Sequence, residues 1–123
     1  MKQNNIGIAV VGAGRIGTLR ARLAAKHPSV RFLAISDRDP ARARALAEQA
    51  GAQLHTGSNE DVIAHPDVTA VIVSTPEQAH TAPILQALKL GKPVLVEKPI
   101  GFSLSEADKI LDVLRETKGS LRV

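Results

Sequence analysis

Apolar and polar positions fall into alternating blocks of strand-like and helix-like period. Ile6–Val11 (IGIAVV) is a continuous apolar run of strand length, the pattern of a strand buried on both faces. Ile16, Leu19 and Leu23 then fall at i, i+3 and i+7, marking one face of a helix from Arg15 to Lys26 that His27-Pro28 stops. Arg31–Ser36 (RFLAIS) reads as a second strand. Asp39 caps the next helix, Pro40 suits its first turn, and Gly51 ends it after an alanine-rich stretch. Ala52–Thr56 is a weak third strand. Ser58-Asn59-Glu60-Asp61 has the form of a capping box for a short helix stopped by His65-Pro66. Val68–Thr75 (VTAVIVST) has the strongest β pattern in the chain. Pro83 is tolerated only in a first helical turn, so the following helix starts near His80–Ala82, with Thr75–Ala79 as a loop. Ile84, Leu85 and Leu88 form its buried face and Leu90-Gly91 ends it. Pro93–Val96 (PVLV) is a fifth strand. Ser103-Leu104-Ser105-Glu106 forms a second capping box, Ile110, Leu111 and Leu114 face inward on the last helix, and Gly119 terminates it. Leu121-Arg122-Val123 has the character of the first residues of a sixth strand.

Strands alternating with helices imply βαβ units and a parallel sheet. The expected fold is therefore α/β, a doubly wound parallel sheet, with a ligand crevice beyond the carboxyl ends of the strands. At 123 residues the chain is one domain's worth, spanning 1–123. No cysteine is present, which excludes a disulfide scaffold, a thiolate zinc site and a cysteine nucleophile. Carboxylate or histidine metal sites stay open, and no residues are singled out for one. Phe32 and Phe102 are the only aromatics among Phe, Trp and Tyr, so base-stacking platforms for single strands are excluded. The net charge of +4 comes from scattered bases rather than a run, which suits solvated helix faces and gives no nucleic-acid partner. Sixteen Lys and Arg still favour a phosphate-bearing ligand. No apolar stretch reaches the length of about 18 residues of a membrane helix. With no secretion signal and no cysteines, the cytoplasm is the expected compartment.

Gly12-Ala13-Gly14-Arg15-Ile16-Gly17 is G-x-G-x-x-G, placed directly after a buried strand and opening a helix. Gly12 permits the tight turn, Gly14 lets a diphosphate approach the backbone, and Gly17 lets helix and strand pack closely. Arg15 and Ile16 belong to the helix N-terminus, which offers unpaired amides and partial positive charge to phosphates. Asp37 ends the second strand twenty residues after Gly17, where an acid accepts hydrogen bonds from the adenosine ribose. Its charge repels a 2′-phosphate, so NAD is favoured, with NADP as the alternative, because the Arg38 guanidinium can stack on adenine or pair with that phosphate. Ser74, Thr75 and Pro76 leave the fourth strand at the crevice and are expected to line the dinucleotide's path. His80, at the start of the next helix, suits either a structural hydrogen bond or catalytic duty. Glu97-Lys98-Pro99 follows the fifth strand at the same edge. Glu97 could bind ribose hydroxyls, and Lys98 could donate to a substrate oxygen and steady developing negative charge there.

Together, G-A-G-R-I-G at 12–17, Asp37-Arg38, Ser74-Thr75-Pro76 with His80, and the run G-K-P-V-L-V-E-K-P at 91–99 resemble the N-terminal Rossmann domain of the glucose–fructose oxidoreductase/inositol dehydrogenase/MocA family. The resemblance spans essentially the whole chain, and the Glu-Lys-Pro element is its most specific part. It implies oxidation or reduction of a secondary alcohol on a sugar, inositol or related polyol, with Lys98 acting near nicotinamide and substrate. Family members carry a second α/β domain that supplies most of the substrate pocket, the acid/base residues and the oligomer interface. Measured against them the chain stops where the sixth strand begins. The expectation is a cofactor domain of a longer, homo-oligomeric enzyme, inactive by itself, whose fifth-strand edge is free to pair with a second copy. The alternative is a non-catalytic nucleotide-sensing or scaffold module.

Overall fold

Residues 6–75, 81–96 and 104–122 are described by a computed structural model. In chain order the elements are β1 (Ile6–Val11), α1 (Arg15–Lys26), β2 (Val30–Ser36), α2 (Pro40–Ala50), β3 (Leu54–Thr56), α3 (Asn59–Ala64), β4 (Ala70–Val73), α4 (Thr81–Lys89), β5 (Val94–Val96), α5 (Leu104–Thr117) and β6 (Leu121–Arg122). The six strands pair in parallel in the order β3-β2-β1-β4-β5-β6. β1 therefore lies between β2 and β4, where the winding reverses. That reversal opens a crevice at the carboxyl ends of β1 and β4, the usual ligand position of an open parallel sheet.

The expected α/β doubly wound sheet is thus present, and the pleat of β1 shows how it is filled. Ala9 and Val11 join one core layer with Val71, Val73, Val94 and Val96, covered by Ile63, Ile84, Leu88 and Ile110. Val10 points the other way, into a layer with Leu33, Ile35, Ala21, Ala43 and Leu46. Both layers bury large aliphatic side chains completely, each contributing about 1.5–3 kcal/mol.

Several local signals act as the sequence predicts. Asp39 Oδ1 accepts from the Ala41 amide at the start of α2, and Gly51 closes that helix in the left-handed region at φ 72°. Ser58 Oγ accepts from the Asp61 amide to cap α3. The reciprocal half of that capping box is not supplied by the acid, because the Ser58 amide donates to Thr56 Oγ1 instead. Ser103 lies outside the described residues.

Four expectations need correction. The periodic face of α1 is not its buried face: Ile16, Leu19 and Leu23 are 39%, 54% and 58% exposed. Gly17, Ala21 and Ala24 pack inward, because this helix lies too close to the sheet for larger side chains. On α5, Ile110 is buried and Leu114 packs against the core as expected, but Leu111 is exposed and Val113 packs inward in its place. The left-handed residue ending α5 is Lys118, at φ 52°, rather than Gly119. Finally, β6 pairs Leu121 with Val94 and Arg122 with Leu95, so the sheet's outer edge on this side belongs to β6 and not to β5. No helix among the described residues is long and apolar enough to cross a membrane.

Lys92 follows α4 and crosses to the end of α3. Its Nζ donates to the carbonyl of Ile63, an acceptor of the kind a helix leaves free at its C-terminus, and to that of His65, which also accepts from the Val68 amide. Burial pushes this ammonium below its ordinary pKa.

Candidate functional site

The turn between β1 and α1 is built by three glycines that meet three different demands. Gly12 sits at φ 105°, in the region that favours glycine, and a Cβ there would lie 2.8 Å from the Ser74 carbonyl and 2.9 Å from the Thr75 amide. The end of β4 therefore presses directly on the turn. A Cβ on Gly17 would lie 1.8 Å from the Gly12 carbonyl oxygen, so the first turn of α1 touches the backbone it has just left. Gly14 differs: its backbone is extended, at φ −80° and ψ −157°, and a Cβ there would meet nothing within 4 Å. Among the described residues, none requires glycine at 14. The open space above it is what a diphosphate needs in order to reach backbone amides.

Gly14 is also the N-cap of α1, with no side-chain cap and no acidic residue in the first turn. The first intrahelical bond runs from the Thr18 amide to the Gly14 carbonyl at 2.8 Å. The amides before Thr18 are those a helix start leaves without intrahelical partners, and with the helix dipole they make an anion cradle.

Asp37 closes the far side of this cradle. Its Oδ2 accepts from the Ala13 amide at 2.7 Å, and its Oδ1 from the Asp39 amide at 2.8 Å. The carboxylate is locked against the glycine turn, yet each oxygen keeps a lone pair for a further donor. The Gly12 amide donates to the Ser36 carbonyl at 2.8 Å, and the Ser74 amide to the Val11 carbonyl at 2.8 Å, so β2, β1 and β4 all end in register here.

A cleft of about 540 Å³ runs along these strand ends, within the size range of small-molecule sites. Of the sequence-selected residues, Gly12, Gly14, Arg15, Ile16, Asp37, Arg38, Ser74 and Thr75 line it, while Gly17 lies beneath in the turn. Ser74 Oγ is buried without a hydrogen-bond partner among the described residues, an orphaned hydroxyl of the kind a ligand satisfies. Pro76, His80, Glu97 and Lys98, with Pro99, lie outside the described residues. The structure adds Asp39, Arg42 and Asn59 to the lining. From the sequence, Asp39 and Asn59 read only as parts of helix starts and Arg42 as one of the scattered surface bases. Their common signal is position, since all three follow strands at the carboxyl edge.

An uncapped helix start, a glycine turn with room above it, and an acid clamped one strand away define a dinucleotide-binding domain of the doubly wound class. Comparison with known proteins agrees. Residues 6–123 match the model of the oxidoreductase family with an NAD-binding Rossmann fold, and the chain belongs to that family. Inositol 2-dehydrogenase of Rubrobacter xylanophilus is 36% identical over 108 residues, which cover 87% of this chain and 31% of that protein. The NAD(+)-dependent scyllo-inositol 2-dehydrogenase of Bacillus subtilis is 30% identical over 116 residues, covering 94% of this chain and 34% of the relative. The crystal structure of GenD2 from gentamicin A biosynthesis, in complex with NAD, superposes with a TM-score of 0.88 at 30% identity, covering 99% of this chain and 35% of that one. The chain spans about a third of the length of the curated relatives it matches.

Proposed function

We propose that residues 1–123 are the cofactor-binding domain of a dehydrogenase that moves a hydride between NAD and a secondary alcohol of a sugar, inositol or related polyol. The observation that carries this reading is the Asp37 carboxylate held at 2.7 Å on the Ala13 amide, beside an uncapped helix start. The relatives' inositol dehydrogenase activity supports the substrate class.

When bound, the cofactor supplies the hydride acceptor or donor. The amides opening α1 hold its diphosphate, and Asp37 accepts from its adenosine ribose. A 2′-phosphate at that ribose would face the carboxylates of Asp37 and Asp39, which selects NAD. Arg38 leaves NADP as the weaker ligand. Ser74, Thr75 and Pro76 line the path toward the nicotinamide, His80 contributes to cofactor binding, and Glu97 accepts from ribose hydroxyls. Lys98 donates to the substrate oxygen, orients it and steadies negative charge developing there. The base that takes the hydroxyl proton comes from outside residues 1–123, in a longer, homo-oligomeric, cytoplasmic enzyme. These 123 residues bind cofactor without turning substrate over.

Calorimetric titration with NAD and NADP tests the reading. The expected result is saturable NAD binding, NADP weaker by about tenfold or more, and no NADH formed from inositol by this chain. No heat with either nucleotide would overturn it.

A further inference from the structure

We infer that Asn59 reads the purine base of the bound nucleotide through its side-chain amide nitrogen. This inference rests on the dinucleotide reading above and extends it to a residue outside the glycine fingerprint. Ser36 ends β2, is completely buried, and among the described residues is the only polar or charged one buried as a whole. A hydroxyl in that position must be hydrogen-bonded, and it is: Ser36 Oγ donates to Asn59 Oδ1 at 2.7 Å. That bond ties the first residue of α3 to the end of β2 and turns the amide oxygen inward. The other branch of the amide, Nδ2, has no acceptor among the described residues, and Asn59 is half-buried in the wall of the cleft that Asp37 and Arg38 also line.

Position then names the ligand atom. The α1 amides take the diphosphate, and Asp37, directly after Ser36, takes the ribose. The next group outward along the nucleotide, past β2 toward β3 and α3, is the base. A purine presents ring nitrogens that accept hydrogen bonds and no other polar atom in its ring framework. A primary amide whose oxygen is already engaged offers the N–H donors that match them. Burial of Ser36 makes the arrangement rigid: rotating the amide out of the cleft would leave that hydroxyl unpaired.

The test is a coupling experiment with ADP and its 1-deaza, 3-deaza and 7-deaza analogues, in each of which one ring nitrogen becomes C–H. The proteins are the unmodified chain, Asn59→Ala, and Asn59→Asp. The last keeps an oxygen for Ser36 and the side-chain shape but removes the donor, and circular dichroism verifies its fold. The expected result is that the unmodified chain binds one of the three analogues about tenfold more weakly than ADP, the loss of one hydrogen bond. Both variants should bind that analogue and ADP equally. A general effect of charge or stability would move all four ligands together and leave no such coupling. If the three analogues keep the same affinity ratios to ADP in chain and variants, Asn59 does not read the base, while ADP binding itself keeps the dinucleotide reading standing. If the unmodified chain binds neither ADP nor NAD, both readings fall.

Discussion

Adding one methyl group at Gly14 and the same methyl at Gly17 should separate folding from binding. At Gly17 the new Cβ would sit 1.8 Å from the Gly12 carbonyl oxygen, and backbone must move to admit it. Overpacking of that kind costs about 3 kcal/mol at the upper end of its usual range. Alanine returns about 1 kcal/mol of helix propensity, so Gly17→Ala should destabilise by about 2 kcal/mol, or roughly 8 °C in Tm for a chain of this size. At Gly14 the backbone is extended and no described residue lies within 4 Å of the new atom. Loss of unfolded-chain freedom stabilises by about 0.4–1 kcal/mol, and alanine's poorer N-capping costs a similar amount, about 1 kcal/mol. The Tm of Gly14→Ala should therefore stay within roughly 4 °C of the parent. Its NAD affinity should nonetheless fall by about 10- to 150-fold, the worth of one charge-assisted hydrogen bond of about 1.5–3 kcal/mol from an α1 amide to the diphosphate. Thermal unfolding and calorimetry on both variants measure the two effects. If Gly14→Ala binds NAD as tightly as the parent, no ligand atom approaches residue 14 and the placement of the diphosphate is wrong.

Asp37→Ser removes the carboxylate proposed to receive the ribose and should weaken NAD by about tenfold or more while narrowing its advantage over NADP, as read by parallel titrations. On α1, Leu23→Lys should change stability by less than about 0.5 kcal/mol, because Leu23 is 58% exposed. Ala21→Leu, at a site with no exposure, should cost about 3 kcal/mol by overpacking, and urea unfolding distinguishes the two. Lys92→Met removes the donor to the Ile63 carbonyl and one of the two donors to the His65 carbonyl, which keeps the Val68 amide, and should cost about 2 kcal/mol at neutral pH. Burial lowers the folded-state pKa of Lys92, so the unfolded chain holds more protons in the interval below the ordinary value of 10.5, and parent stability rises with pH there. Lys92→Met lacks that rise, so the gap between the two should widen as pH climbs toward 10.5, and a narrowing gap would contradict the assignment.

Period and punctuation made the order of elements legible. The central strands β1 and β4 are covered on both faces, so IGIAVV and AVIV stand out as unbroken apolar runs, and Asp39-Pro40 and Gly51 mark the ends of α2 by mechanisms local to the chain. The glycine fingerprint and Asp37 were legible for the same reason, since each belongs to one short segment with one geometric demand. What could not be read is how closely two elements approach. The i, i+3, i+7 pattern of Ile16, Leu19 and Leu23 is a sound helical signal, but only the contact of Gly17 with Gly12 shows that small residues must face the sheet. Asn59 was hidden for a related reason. Its partner, Ser36, is 23 positions away, and a capping motif gave the residue a sufficient local explanation.

The central claim is that the backbone amides opening α1, together with Asp37, receive a dinucleotide. Amide chemical shifts recorded while NAD is added test it most directly. The account predicts that the resonances of residues 13–17 and of Asp37 move together along one saturable curve, while those of Arg31 and Asp67, at the opposite end of the sheet, stay fixed. Shifts confined to the Arg31 and Asp67 end, with residues 13–17 unmoved, would contradict it.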